Sequence, residues 1–508
     1  MQLTFDFFKE PARVDISQLK APNGYTGLYA FHKYWGKKPC EPIAYIIESL
    51  THPGQVILDP FVGSGITARE SILRSRKFIG IDINPVATEL SRLLLNPPRV
   101  DLLEEAVSHV TQAARERIQK TYLLDNGVDV ATHYLWDDEN LYQVWTSGRD
   151  KRRRHVELPP TSHDIRLSES FRGYRSKCIR SPRFSDNSRI NATHEMSLDD
   201  ILTGRAQHNI DVLIESIAEC PARVNRALKL CLTAASGQMT KMVFAVTGRG
   251  KTKGKSGRKT EVGSWVIGYW RPRQHFEVNV WNCFERRTSK LIKALRKDHS
   301  VQRSPVGDSV HDVIENDMSS AILCGDCRAL LSEIPDESIH LVLTDPPHSD
   351  RVPYLELSEF WNSILGLESD FDLEIVNSNA KGRDKSYESY CSDLGEFFEM
   401  VSRVLHRKGY LVILYNARES RQWMPFRRLC RDATLNNDTQ LYYVGFFPCV
   451  YSAGSVVQDN RKGSLKTDYA IVFARANHGG SREEHIRRLS TIPGWSSSLP
   501  QLILDGDV

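Results

Sequence analysis

The apolar residues of this 508-residue chain fall into two patterns: short unbroken blocks, and longer stretches with the three-to-four residue spacing of an amphipathic helix. The unbroken blocks predict buried parallel strands: Val56-Ile57-Leu58, Phe78-Ile79-Gly80-Ile81, Ala321-Ile322-Leu323, Ile339 to Leu343 and Gly409 to Tyr415. Helical spacing predicts helices over Glu41–Leu50, Ala68–Arg76, Ala87–Leu95, from about Arg328, and over Glu356–Leu365 and Leu394–Leu405. This alternation is that of an α/β fold with a mostly parallel sheet. Two late strands, Leu441–Phe447 and Asp468–Phe473, are joined by a polar loop containing Gly454 and Gly463, and predict an antiparallel pair at one sheet edge.

The alternation stops after Asn96-Pro97-Pro98 and resumes near residue 320. Between them lie a helical pattern from Leu102 to Thr121, a strand-like Tyr142-Gln143-Val144-Trp145, and helical patterns near 207–218 and 221–236. An aromatic run with Trp265, Tyr269, Trp270, Phe276, Trp281 and Phe284 reads as core. The expected organisation is therefore residues 1–98 and 320–475 as two halves of one α/β domain, residues 99–319 as a mixed α+β insertion, and 476–508 as a polar tail.

Charge separates the same parts. Residues 100–320 hold 35 Lys and Arg against 28 Asp and Glu, a surplus of 7, although the whole chain carries only +4. The cations cluster at Lys151-Arg152-Arg153-Arg154 and in a glycine-rich loop holding Arg249, Lys251, Lys253, Lys255, Arg258 and Lys259. Flexible cationic segments of this kind suit phosphate contacts, so these ten residues are the candidate DNA contacts.

The candidate chemistry lies at the strand ends, where α/β sheets bind ligands. Val56-Ile57-Leu58 runs into Asp59-Pro60-Phe61-Val62-Gly63-Ser64-Gly65, whose glycines let backbone approach a ligand closely. The next strand ends on Asp82, about 20 residues on, where an acid accepts from ribose hydroxyls. A later strand ends on Thr344-Asp345-Pro346-Pro347-His348. Its prolines donate no N–H, so its carbonyls are expected to be free acceptors for a donor such as a nucleobase amino group.

These two motifs resemble those of the DNA amino-methyltransferases that act on adenine or cytosine and use S-adenosylmethionine (SAM). The resemblance covers roughly residues 25–95 and 320–475. It implies a Rossmann-like methyltransferase sheet and an inserted target-recognition domain that binds double-stranded DNA, in one of the family's known motif orders. It further implies that Asp59, Pro60, Phe61, Gly63, Gly65, Asp82 and Asp326 hold SAM, with Lys37 a candidate for its carboxylate. Asp345, Pro346, Pro347 and His348 would then hold a flipped base, His348 standing where the family has an aromatic residue.

The amino nitrogen of adenine is a poor nucleophile because its lone pair is delocalised. Acceptors at Asp345 and the Pro346 carbonyl would localise that pair, and in-line positioning would supply much of the rest. The base must leave the duplex and be held by stacking, the role expected of His348. Asp at the first motif position, where Ser is usual in cytosine enzymes, favours adenine N6 over cytosine N4. RNA base methylation and a weakly catalytic DNA-binding scaffold are the alternatives. The expected setting is restriction–modification or phage defence, with a cognate defence protein as partner.

Other features change little. The ten cysteines are scattered, and Cys324-Gly325-Asp326-Cys327 lacks the second pair that would make a zinc site, so no metal is expected. The N-terminal residues lack the charged and apolar regions of a signal peptide, and no apolar run is long enough to cross a membrane, so a cytoplasmic protein is expected.

Overall fold

The computed structural model describes residues 25–148, 155–247, 260–265, 267–298, 303–349, 351–416, 420–426, 441–450, 467–475 and 482–498. All ten candidate DNA contacts, from Lys151 to Arg154 and from Arg249 to Lys259, lie outside these residues.

A seven-stranded sheet is built from β1 (Val56–Asp59), β2 (Lys77–Asp82), β9 (Ser320–Cys324), β10 (Ile339–Thr344), β11 (Leu405–Tyr415), β12 (Leu441–Val450) and β13 (Thr467–Arg475). Its order is β12-β13-β11-β10-β1-β2-β9. The five strands from β11 to β9 are mutually parallel, and β13 is antiparallel to both β11 and β12. This is the expected mostly parallel, Rossmann-like sheet with an antiparallel C-terminal edge. From β1 the chain first builds outward through β2 and β9, then returns to pair β10 with the free side of β1, Ile57 opposite Leu341. The order reverses between β1 and β10, so a crevice opens at their carboxyl ends.

The unbroken apolar blocks follow from burial on both faces. On one face Ile57, Leu341, Leu343 and Val412 pack with Ile43, Ile46 and Ile47 of the helix Cys40–Leu50 and with Ile66 and Ile72 of the helix Ile66–Leu73. On the other, Leu58, Val342 and Leu411 pack with Leu394, Phe397 and Val401 of the helix Tyr387–Val404.

In the insertion, β3 (Ala131–Asp137), β4 (Asn140–Ser147), β5 (His155–Leu158) and β8 (Gln274–Val278) form an antiparallel sheet of order β5-β4-β3-β8. Two short strands, β6 (Ala245–Thr247) and β7 (Thr260–Val262), pair separately. Of these, only the centre of β4 was legible as a strand. The helices Val100–Lys120, Gly204–Ala218, Ala222–Ser236 and Val280–Lys297 complete it, and Phe276, Trp281 and Phe284 are buried core as expected. A buried Arg205–Glu277 pair, Nε to Oε1 at 2.7 Å, ties the helix Gly204–Ala218 to β8.

One hydrophobic cluster joins the insertion to the helices on the seven-stranded sheet: Leu228 and Trp281 belong to the same core as Leu90, Leu357, Phe360 and Trp361. The polar tail carries local structure. It contains the helix Arg482–Leu489, whose His485 and Leu489 are buried, and Ser496 bridges to Phe446 of the edge strand β12. Among the described residues no helix is long and apolar enough to cross a membrane.

Candidate active site

β1 and β10 lie side by side, so their terminal motifs meet. Thr344 Oγ1 donates to Asp59 Oδ1 at 2.7 Å, tying the two strand tips together. Asp59 is buried; desolvation pushes its carboxyl up to about 7 against the hydrogen bonds from Thr344, Thr67 and the Phe61 N–H. The ring of Phe61 stands edge-on to Phe397 at 5.2 Å.

The turn after β1 is held from below by Val62 N donating to Ile81 O at 2.9 Å. Gly65 has φ +82°, and a Cβ there would lie 2.7 Å from the Cα of Ser91, so both its conformation and its packing demand glycine. Gly63, at φ +52°, donates its N–H to Asp82 Oδ2 at 2.8 Å. Asp82 Oδ1 accepts from Asn84 N at 2.9 Å. Each Asp82 oxygen thus holds one backbone N–H and retains a further lone pair. Burial outweighs these two bonds and pushes the Asp82 carboxyl up to about 6.

Asp326 caps the helix Cys327–Ser332 by accepting from Arg328 N at 3.0 Å, and its carboxylate also receives the Arg328 guanidinium. Lys37 was the candidate anion binder, but its Nζ donates to the carbonyls of His32 at 2.7 Å and Tyr29 at 2.8 Å. Desolvation, with Lys290 nearby, lowers its ammonium to about 8. The neighbouring Lys38 is the cation that reaches the Asp-Pro-Pro motif: its Nζ lies 3.1 Å from Asp345 Oδ1 and 2.8 Å from Asp468 Oδ2.

Asp345 is also met on Oδ1 by His348 Nε2 at 2.9 Å. Burial raises its carboxyl, but Lys38 and His348 outweigh burial and hold it below the usual carboxylate range, so it is ionised. The His348 ring packs at 4.4 Å against Tyr415, tilted by 51°. Its Nδ1 lies 3.3 Å from Arg351 Nη1, and the Arg351 carbonyl in turn accepts from Arg189 of the insertion at 3.1 Å. The expectation that the prolines leave free carbonyls needs correction at Pro347, whose carbonyl accepts from Tyr390 Oη at 2.6 Å. Among the described residues no donor is found on the carbonyl of Pro346.

A cleft of about 930 Å³ is lined by both motifs: Asp59, Pro60, Phe61, Gly63 and Asp82 from the first half, Asp326, Asp345 and Pro347 from the second, and Lys37 and Lys38. Gly65, Pro346 and His348 are not among the lining residues. Tyr34, Tyr354 and Glu374 complete the wall. Sequence reading missed these three and Lys38, Tyr390 and Asp468. Only Lys38 carried a local signal, as the second cation of Lys37-Lys38-Pro39; Asp468 lies 430 residues from its partner.

Comparison with known proteins matches residues 8–92 to the family described as DNA methylase. Over 47 residues the chain is 43% identical to "Putative methylase YubD" of Escherichia coli (strain K12), covering 9% of this chain and 21% of that protein. Over 48 residues it is 46% identical to "DNA adenine methyltransferase YhdJ" of the same organism, covering 9% of this chain and 16% of that protein. The matches thus span about a fifth or less of these relatives. The family match carries the strand and glycine turn that build the first half of the cleft. With the Asp-Pro-Pro motif paired beside it on a mostly parallel α/β sheet, the chain is similar, over this first half of the cleft, to proteins of the DNA methylase family.

Proposed function

We propose that the protein transfers a methyl group from SAM to the exocyclic N6 of adenine in DNA. One observation carries this reading: the ionised Asp345 at the end of β10 and Asp59, Gly63 and Asp82 around the glycine turn of β1 line one cleft. When bound, SAM supplies an electrophilic methyl on its sulfonium.

The chain's own residues do the rest. Asp82 retains two lone pairs for ribose hydroxyls, and the glycine turn lets the cofactor lie against backbone. Lys38 and His348 both occupy Oδ1 of Asp345, which leaves Oδ2 to accept one hydrogen of the amino group. The Pro346 carbonyl accepts the other. Two acceptors on one amino group draw its nitrogen toward a tetrahedral shape and free the lone pair for in-line attack. Tyr390 fixes the Pro347 carbonyl, so the rigid Pro-Pro segment cannot turn that acceptor into the site. The Asp at the first motif position and the similarity to a DNA adenine methyltransferase support adenine over cytosine.

The basic insertion is the proposed reader of DNA, and Lys151 to Arg154 and the cations from Arg249 to Lys259 its proposed phosphate contacts. Neutralising the latter six should lower affinity for all sequences alike and flatten the salt dependence of binding. Sequencing the methylated bases in DNA from cells that express the wild-type protein or Asp345→Ala tests the main reading. N6-methyladenine at one motif in the wild type only is expected; its absence from both would overturn the proposal, and N4-methylcytosine would correct the base.

A further inference from the structure

Two tyrosines, one from each half of the chain, line the cleft together. Tyr34 lies in the segment before the helix Cys40–Leu50, and a Cβ on Gly63 would lie 3.4 Å from its Cε1, so its ring stands against the glycine turn that follows β1. Tyr354 opens the helix Tyr354–Leu365. A Cβ on Gly36 would lie 2.6 Å from Tyr354 Oη, so that glycine, at φ +72°, makes room for the phenol. The two rings are near-parallel, centroids 6.0 Å apart at 23°, and both residues remain partly exposed.

The charge around them is lopsided. Five carboxyl groups line the cleft, those of Asp59, Asp82, Asp326, Asp345 and Glu374, against the two ammonium groups of Lys37 and Lys38. Lys38 is bridged between Asp345 and Asp468, and Lys37 is turned onto the carbonyls of Tyr29 and His32. Asp59 and Asp82, on either side of the glycine turn, are held by neutral donors. Aromatic faces are electronegative and attract a cation within about 6 Å. Ring faces and acids on one wall therefore suit a positive centre, and a sulfonium, which has no N–H or O–H to donate, can be recognised in no other way than by such faces and charges.

We propose that Tyr34 and Tyr354 recognise the sulfonium of SAM through their rings, and so make the cleft select the charged methyl donor over S-adenosylhomocysteine, the thioether left after transfer. The two molecules share their adenosine and amino-acid ends and differ by one methyl and one positive charge, so the contacts to those ends cancel in the comparison. Loss of the charge on transfer weakens the hold on the product and clears the cleft for the next donor. This inference rests on SAM being the cofactor, and binding alone tests it.

Calorimetry on the full chain, without DNA, would measure SAM and S-adenosylhomocysteine separately. Wild type should bind SAM about tenfold more tightly, the scale of a cation against aromatic faces. Tyr34→Leu and Tyr354→Leu keep an apolar side chain without the ring; each should cut that preference about threefold through weaker SAM binding, with S-adenosylhomocysteine affinity held within about twofold. Tyr34→Phe and Tyr354→Phe keep the ring face and should keep the preference. Equal affinity of wild type for the two molecules, an unchanged preference in the Leu variants, or an equal loss of affinity for both molecules in those variants would overturn the proposal. Circular dichroism checks folding, and where one Leu variant does not fold the other decides together with the wild-type ratio. Equal binding of both molecules by wild type leaves the proposed function standing and removes only the selection, whereas binding of neither would remove the proposed function itself.

Discussion

Nε2 of His348 lies 2.9 Å from Oδ1 of Asp345, so the imidazole bonds to the carboxylate of the Asp-Pro-Pro motif. The carboxylate can only accept, which makes Nε2 the donor; Arg351 Nη1 can only donate, which makes Nδ1 the acceptor. One neutral tautomer satisfies both partners. These contacts, with the ring against Tyr415, suit an orienting role for His348 beside the stacking role expected from its motif position.

His348→Phe should accordingly lower single-turnover methylation about 10- to 100-fold, the loss of one hydrogen bond to a charged group. SAM affinity should stay within about twofold, since His348 is outside the cleft lining. His348→Gln, which retains an N–H, should recover part of the rate. Full activity in His348→Phe would return the residue to a stacking role.

Lys38, with His348, holds Asp345 ionised, which should set the acid limb of the pH–rate profile. Removing the cation lets burial dominate, so the Asp345 carboxyl rises and more of it is protonated at a given pH. In Lys38→Met the acid limb of kcat/KM should move upward by about one pH unit or more. An unshifted limb would mean that Asp345 protonation does not limit the reaction.

The Asp82 carboxyl, raised by burial to about 6, accepts fully only when ionised. SAM affinity should therefore fall as pH drops through 6 and be flat above about 7. Asp82→Ala should weaken binding by about 1.5 to 3 kcal/mol at pH 7.5 and remove the pH dependence. Calorimetry across pH 5 to 8 checks both; unchanged affinity in the variant would sink the ribose assignment.

Arg205 and Glu277 are each at most 2% exposed and doubly bonded, with Arg205 also over the rings of Tyr122 and Tyr134. Arg205→Met alone leaves a buried carboxylate unpaired and should destabilise the protein by about 3 to 5 kcal/mol. Replacing both partners by Met should cost far less. Denaturant unfolding of the three proteins measures the difference, and equal losses would show that packing, and not charge, dominates there.

The positions of β1, β2, β9 and β10, and the acids that end or follow them, were legible in the sequence because burial on both faces leaves unbroken apolar blocks that stop at polar turns. The glycine turn was legible for a similar local reason: only glycine fits φ +82° with Ser91 against it. Lys38 beside Asp345, Tyr390 on the Pro347 carbonyl, and His348 as partner of Asp345 were decided by tertiary structure. Each depends on where a side chain ends once strands and helices far apart in the chain are packed, and no local pattern encodes that. The insertion shows the same limit. β3 pairs with β8 some 140 residues away, and its alternation is blurred because helices and sheet share one core with the helices of the seven-stranded sheet. Lys37 shows the limit at its smallest: sequence chose the right basic run, and the packing of Tyr29 and His32 around the first lysine left the second to reach the carboxylate.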